Sequence, residues 1–390
     1  MRIGLKQVFV SLFSVVVLGA CASSGQDLPQ VESDQISAEM LLDASPLAED
    51  AELVDLSQID ILEFSPEMAD FVASQIKEHH GDAGRLQRLL YAVMGEDNFE
   101  LIYDETTRTA IATCQDRRGN SLAFTNIFVA MARHAGIDAY YQEVEIPPLW
   151  SLSGESCLLS KHINVHMKMN SGMVRVVDFN IHDFSTSQDT RVISDNRARA
   201  HYFNNIGAEH MLGGDTLLAF NNFRQGVLED STFSPTWIKL GNLSRREGYP
   251  EYAAAAYLRG LEVDEDSLVA MSNLANLYQE QGQTELAAHY KDLVRAHRMR
   301  NPFYRYQLAN EAFVNGDYES AIQNIKHAIR LRDNEPRFYS LLSFSYLMSG
   351  DRQAARRWMK KAESVADQQE EKEKYNYKLE LLMGKDGGKK

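Results

Sequence analysis

Apolar residues are densest between Leu122 and His134, where they fall on all sides of a predicted helix rather than in one stripe. This pattern indicates a helix that is buried nearly all round. Gly136 follows two basic residues and is a suitable left-handed stop, with the positive charges at the negative end of the helix dipole. We therefore place this helix at the centre of the first folded unit.

Shorter amphipathic segments surround the central helix. Ser65 and Pro66 predict a helix start, and the apolar residues that follow share one face. A second helix is predicted over residues 83–94. Alternating apolar and polar residues predict three strands, over residues 140–144, 163–169 and 174–179. Helices followed by antiparallel strands predict an α+β domain over residues 51–195.

The second half of the chain repeats every 34 residues, in four registers and five successive units. The registers hold a glycine, an alanine, an aliphatic residue and a small residue. They are Gly214, Gly248, Gly282, Gly316 and Gly350; Ala219, Ala253, Ala287, Ala321 and Ala355; Ile206, Leu240, Leu274, Leu308 and Leu342; and Gly207, Gly241, Ala275, Ala309 and Ser343.

Period and residue types resemble the tetratricopeptide repeat, a helix–turn–helix unit that stacks into an all-α superhelix. The resemblance implies five repeats over residues 200–369, followed by a capping helix and a disordered tail over residues 370–390. It also implies protein or peptide binding on the concave face, which the first helix of each unit lines. The candidate residues on this face are Asn204, Asn205, Lys239, Asn242, Asn273, Asn276, Gln307 and Asn310.

The N-terminus has the pattern of a secretion signal. Arg2 and Lys6 precede an apolar run that is too short to span a bilayer. The sequence Leu18-Gly19-Ala20-Cys21 resembles the bacterial lipoprotein box. The resemblance implies removal of residues 1–20, lipidation of Cys21 and anchoring at the outer membrane, facing the periplasm. The alternative is an ordinary signal peptide with an incidental cysteine.

The negative charge of the chain limits the kinds of molecule that it can bind. Residues 21–50 are polar and acidic and predict a flexible tether. The net charge of −15 argues against nucleic acid and against a polybasic contact with anionic lipid. No phosphate loop is present at Gly119 or Gly136, and we expect no nucleotide, flavin or other cofactor.

The central helix carries a second family resemblance. Gly119-Asn120-Ser121 before it and the run from Met131 to Ala139 after it resemble the core of the transglutaminase-like (papain-like) superfamily, over roughly residues 100–180. In that family a Gly-x-Cys triplet opens the helix, a histidine opens a later strand, and an aspartate lies on the next strand. His162 and Asp178 stand at those two places, but Ser121 replaces the cysteine.

Two interpretations of this site remain open. Ser121, His162 and Asp178 contain the nucleophile, base and orienting group of a serine hydrolase or acyl transferase. A serine at a helix start is also a common cap, and its hydroxyl cannot be pre-ionised as a thiol can. We expect a degenerate, non-catalytic site.

The remaining candidates carry weaker patterns. Cys114 and Cys157 form a disulfide or remain two free thiols, and neither holds the nucleophile position. A metal site at His162, His166, His182 and Asp183 fits no known ligand spacing, and we expect no metal. Trp150 is a candidate cleft residue or an apolar plug.

The sequence thus predicts a lipid-anchored envelope scaffold that binds a protein or peptide through its repeats and carries a degenerate transglutaminase-like domain. The alternative is an amide or ester hydrolase, or an acyl transferase, that uses Ser121. A third hypothesis is an assembly factor for an envelope machine or surface polymer, for which no separate feature of the sequence argues.

Overall fold

A computed structural model describes the chain over residues 35–44, 53–76, 81–94, 99, 101–145, 149–150, 157–158, 161–179, 190–366 and 369–383. The predicted signal peptide, Cys21, His182, Asp183 and the predicted tail from residue 384 onward lie outside these residues.

The first half of the chain contains short helices and the strands. Its helices are α1 (Ala38–Leu41), α2 (Pro66–Gln75), α3 (Asp82–Met94), α4 (Ala110–Asp116) and α5 (Ser121–His134). Its strands are β1 (Ile102–Tyr103), β2 (Arg118–Gly119), β3 (Asp138–Glu145), β4 (Leu149–Trp150), β5 (Cys157–Leu158), β6 (Lys161–Lys168), β7 (Val174–Val177) and β8 (Thr190–Ile193).

The described residues of the second half form helices joined by short connections. Its helices are α6 (Asp195–Gly213), α7 (Thr216–Glu229), α8 (Ser234–Arg246), α9 (Pro250–Val263), α10 (Leu268–Glu280), α11 (Thr284–Arg300), α12 (Pro302–Val314), α13 (Tyr318–Leu331), α14 (Pro336–Met348), α15 (Arg352–Val365) and α16 (Gln369–Met383).

The predicted central helix is confirmed as α5. Every residue from Leu122 to Ala132 is buried, and the helix ends where Gly136 takes a left-handed φ of 73°. The main sheet packs against it in the order β7-β6-β3-β8, with all neighbours antiparallel. Tyr141 of β3 is fully buried, and its hydroxyl donates to Asn126 of α5 at 2.8 Å.

The predicted strands are confirmed with shifted bounds, and β8 was missed. It is only four residues long, and its burial pattern shows three exposed residues before Ile193. So short a segment carries too little alternation to predict a strand. Pairing with β3, where Ile193 lies opposite Tyr141, holds β8 in the sheet.

The predicted repeats are five antiparallel helix pairs, from α6/α7 to α14/α15, and α16 packs on α15 through the buried Tyr375. All five registered glycines have φ between 72° and 95°, because each makes the turn inside a pair. The registered alanines are at most 1% exposed. The aliphatic register is buried at Leu240, Leu274 and Leu342 but only half-buried at Ile206 and Leu308.

The two halves of the chain share one hydrophobic core. Tyr202 and Phe203 of α6, the first repeat helix, belong to the same cluster as Ile127 and Phe128 of α5. The predicted boundary near residue 195 is therefore a boundary in the sequence pattern, while the packing is continuous across it.

A buried carboxylate reinforces this junction. Glu143 on β3 accepts from Arg197 Nε at 2.8 Å and from Arg191 at 2.7 Å, and it lies 2.7 Å from His201 Nε2. Burial alone would raise the pKa of Glu143, but the hydrogen bonds and charges of His201 and Arg197 outweigh it and hold the pKa well below its usual range.

The prediction of a flexible tether over residues 21–50 is wrong for residues 35–44. This segment contains α1 and packs on the repeats, with Leu41 only 4% exposed among side chains that include Phe220 and Tyr252. Arg224 of α7 donates to the Leu42 carbonyl at 3.2 Å. Composition predicted a tether because residues 21–50 are polar, acidic and low in aromatic residues. The aliphatic side chains between Ile36 and Ala44 nevertheless pack on the apolar surface of the repeats.

The chain continues along the same surface after α1. The Val54 amide donates to Asn221 of α7 at 3.0 Å, and Arg199 of α6 donates to the carbonyls of Ser57 and Ile59. We call the described residues 35–44 and 53–59 the strap. None of the helices in the described parts of the chain is both long and apolar enough to cross a membrane.

Candidate functional site

The start of α5 is built by backbone and side-chain caps. Asn120, rather than Ser121, is the N-cap: its side-chain oxygen accepts from the Ala123 amide at 3.0 Å, and its amide donates to Thr107 at 2.7 Å. A Cβ on Gly119 would lie 2.5 Å from the Ala123 Cβ, so only glycine fits two residues before the helix. The interpretation of Ser121 as the cap is corrected. It is the first helical residue, and it is half-buried.

His162 and Asp178 are brought together as the resemblance implied. His162 Nε2 lies 2.5 Å from Asp178 Oδ1, and both side chains are less than 10% exposed. The second carboxylate oxygen accepts from Asn164 at 2.9 Å. This pairing of Nε2 leaves Nδ1 as the imidazole nitrogen that would have to serve a nucleophile.

The helix that begins at Ser121 contacts the strand that carries His162. One turn along α5, the Thr125 hydroxyl lies 3.3 Å from the carbonyl of Ile163, the neighbour of His162. Among the hydrogen bonds of the described residues, none joins the Ser121 hydroxyl to His162. The described residues therefore bring an imidazole and a carboxylate together and show no hydrogen bond between that imidazole and the hydroxyl of Ser121.

The same face of the sheet holds three buried polar atoms without partners. They are Oε1 of Gln142, Oδ1 of Asn164 and Nδ1 of His166. Gln142 pairs with Asn164 across β3 and β6, so these side chains lie on the face that carries His162. Buried polar atoms of this kind are rare in folded proteins and are suited to binding a polar ligand or water.

Cys114 is a free, buried thiol, so the structure favours the thiol over the disulfide for this residue. Burial and the nearby Glu67 raise the pKa of Cys114, which makes it a poor nucleophile. Trp150 and Cys157 pair opposite each other on β4 and β5. Within the described ranges, no group of three or more His, Cys, Asp and Glu residues is arranged to hold a metal ion.

Some of the predicted concave-face residues are hydrogen-bonded or buried within the repeats, and others are exposed to solvent. Asn242 accepts from the Tyr257 hydroxyl at 2.8 Å and from Asn273 at 3.0 Å, so these amides hold neighbouring repeats together. Asn204 is buried, and burial lowers the pKa of the half-buried Lys239. Asn205 and Gln307 are half-buried, and Asn276 and Asn310 are exposed.

No protein-family model matches the chain, and neither does any curated protein. Solved structures do resemble part of it. A crystal structure of MamA is 21% identical and covers 45% of this chain and 95% of its own, with a TM-score of 0.24. Pseudomonas aeruginosa PilF is 15% identical over 48% of this chain and 94% of its own, with a TM-score of 0.26.

A third match is the anaphase-promoting-complex heterotetramer Cut9–Hcn1, which is 18% identical over 47% of this chain and 36% of its own, with a TM-score of 0.25. Scores at this level carry no statement about function.

Sequence reasoning missed two residues of the site. Asn164 positions the second oxygen of Asp178, and its signal was its place two residues after His162 on the same strand face. Glu209 of α6 accepts from the Thr107 amide at 2.8 Å and so links the repeats to the loop before α5. No local pattern indicates this contact, because the two residues are 102 positions apart.

Proposed function

We propose that this protein is a membrane-anchored scaffold of the bacterial envelope, which binds a protein or peptide partner through its helical repeats. The observation that carries the proposal is the series of five helix pairs, since such repeats present an extended binding surface. Asn276 and Asn310 remain exposed on first helices of this stack.

The strap limits which surface a partner can use. It covers part of α7 and α9, the second helices of the first two pairs, with the chain's own residues. A partner would therefore meet the surface formed by the first helices, or the later repeats.

We further propose a non-catalytic role for the region that resembles the transglutaminase-like core. Ser121 stands where the resembled family has its cysteine, and a serine hydroxyl needs a base to activate it. The described contacts show no hydrogen bond from Ser121 to His162, while Asp178 is held by His162 and Asn164. We assign this region a binding or supporting role.

Lipidation of Cys21 would anchor the scaffold. The support is the lipoprotein-box pattern at Leu18-Gly19-Ala20-Cys21. Because α1 begins at Ala38, an anchor at Cys21 would leave a short connection between the membrane and the repeats. The repeats would then work close to the membrane surface.

Photo-crosslinking in the producing cells tests the scaffold. A photoreactive phenylalanine derivative placed at Asn310, on the repeats, should give a crosslinked species of higher mass. The same group at Glu67, an exposed residue of α2, is the control and should give none. Equal products at both positions, or none at either, would count against a partner on the repeats.

A serine hydrolase is the second candidate, and the 2.5 Å contact between His162 and Asp178 favours it. Labelling of the soluble form with a serine-reactive fluorophosphonate, followed by peptide mapping, decides between the two. We expect no adduct on Ser121. An adduct that disappears in both Ser121→Ala and His162→Ala would make the protein an enzyme.

A further inference from the structure

A cleft of about 320 Å³ opens between the third and fourth helix pairs. It is bounded by α10, α11 and the start of α12. The side chains used below are Ser272, Asn276, Lys291, Arg295, Arg298 and Tyr304. Of the candidate concave-face residues, Asn276 lies in its wall.

The cleft follows from an irregular helix. The helices α7, α9, α13 and α15 each have 14 residues, whereas α11 has 17. Between other successive pairs, four residues connect the last helix of one pair to the first helix of the next, whereas only Asn301 lies between α11 and α12. The shorter connection offsets the longer helix, so the 34-residue period is kept. Three connecting residues have thus become helix.

This change opens the packing between the two pairs. No hydrophobic cluster of the described residues contains side chains of both α11 and α12. Leu308, which occupies the aliphatic register on α12, is only half-buried, whereas Leu274 and Leu342 are fully buried. The cleft lies between these two pairs, beside the longer helix α11.

The wall of the cleft is positively charged. Lys291, Arg295 and Arg298 line it, and none of its described lining residues is acidic. Lys291 Nζ donates to the neutral amide of Gln279 at 3.0 Å, which leaves its charge uncompensated by that contact. Asp292 lies 3.9 Å from Arg295, but both side chains are mostly exposed, so this pair is weak.

We infer that this cleft binds an acidic peptide segment of the partner protein, with carboxylates held by Lys291, Arg295 and Arg298. The inference rests on the proposed scaffold function and names the chemistry of its partner. Arginine and lysine bind carboxylates through charge-assisted hydrogen bonds. Asn276, Ser272 and Tyr304 supply neutral hydrogen-bonding groups at the rim. In a chain of net charge −15, a local cluster of positive charge favours the approach of an acidic ligand to this cleft.

Fluorescence anisotropy with a defined probe tests the inference. The probe is a fluorescein-labelled peptide of five Glu-Gly units, the control peptide has five Gln-Gly units, and the protein is the full chain in detergent. We expect the Glu peptide to bind more tightly, and its affinity to fall with added salt. Lys291→Gln with Arg295→Gln should weaken it by about tenfold, the order expected from losing two charge contacts.

Two further variants make the test specific. Arg352→Gln with Lys360→Gln removes the same charge from exposed positions of α15 and should change affinity less than about twofold. Asn276→Asp places a carboxylate in the wall and should weaken binding without removing a cation. Circular dichroism melting confirms that each variant is folded.

Three results would overturn the inference. The first is equal binding of the Glu and Gln peptides, and the second is unchanged affinity in the Lys291→Gln, Arg295→Gln variant. The third is binding only after deletion of residues 22–34, which would make the chain's own acidic segment the occupant. If crosslinking at Asn310 still captures a partner in any of these cases, the scaffold stands and only the acidic cleft is wrong.

Discussion

A single position separates Asn120 from Ser121, and it changes what each can do. Asn120 caps α5: its side-chain oxygen accepts from the amide of Ala123, and its side-chain nitrogen donates to the hydroxyl of Thr107. Ser121 is therefore released from the capping role that its residue type favours. Its hydroxyl lies at the positive end of the helix dipole, which would stabilise an anion there but does not by itself ionise a serine.

Two glycines of the fourth register act through their lack of a side chain. A Cβ at Gly207 would lie 2.6 Å from the ring of Phe223, and one at Gly241 would lie 2.5 Å from the ring of Tyr257. Both rings are fully buried, so they cannot yield. The recurrence of a small residue every 34 positions in the sequence is explained by this close approach of the two helices of a pair.

At the scale of elements, α11 shows how a repeat can keep its period and lose its regular packing. The sequence gives glycine and alanine at the expected places on both sides of α11, so pattern alone predicts a regular stack. Asn301 ends α11 and also caps α12, where its side chain accepts from the amides of Phe303 and Tyr304. A single residue thus connects α11 to α12, where four residues connect other successive pairs.

The strap is the second element that the hydrophobic pattern of the sequence did not predict. A substitution in α1 tests whether the strap is docked on the repeats. Leu41→Ala should weaken docking of the strap by about 3 kcal/mol, because a buried leucine side chain is removed. Met40→Ala is the matched control, since Met40 is 43% exposed and its loss should cost less than about 0.5 kcal/mol. Hydrogen exchange of residues 35–44, read by mass spectrometry, measures the difference. Equal exchange in the two variants would show that α1 is not held by Leu41.

At the scale of the whole molecule, α6 joins the two halves of the chain through one hydrophobic core. Its first turns carry Ala198, Tyr202 and Phe203 into the core around α5, and its later turns pair with α7. A helix shared in this way makes the packing of the first repeat part of the packing around α5.

Glu143 gives a test of this junction. Glu143→Gln should lower the free energy of unfolding by about 3 kcal/mol at pH 7, because Arg197 and His201 lose a buried partner. Urea unfolding measures this free energy. Glu105→Gln is the control, because Glu105 is exposed, and it should change the free energy of unfolding by less than about 0.5 kcal/mol.

The effect of Glu143 should depend on pH in one direction. Its pKa in the folded protein is below the ordinary glutamate value of 4.5, so below that value the unfolded chain binds more protons. The contribution of Glu143 is therefore complete above pH 4.5 and is lost as the pH falls through the folded pKa. The difference between wild type and Glu143→Gln should shrink at acid pH. A difference that is constant with pH would assign the effect to packing.

Sequence alone determined the features that local physics fixes. The period of 34 and its glycines determined the helix pairs, because a left-handed turn needs glycine wherever it recurs. The dense apolar run determined the buried α5. The predicted pair of neighbouring strands brings His162 of β6 beside Asp178, which directly follows β7.

Only the tertiary structure decided the features that depend on contacts between distant residues. The strap lies on α7, the loop before α5 meets Glu209, and Glu143 meets Arg197, across separations of 54 to 182 residues. The cleft beside α11 arises from where α12 comes to lie. Such contacts depend on which surfaces meet after folding, and no pattern of neighbouring residues carries that information.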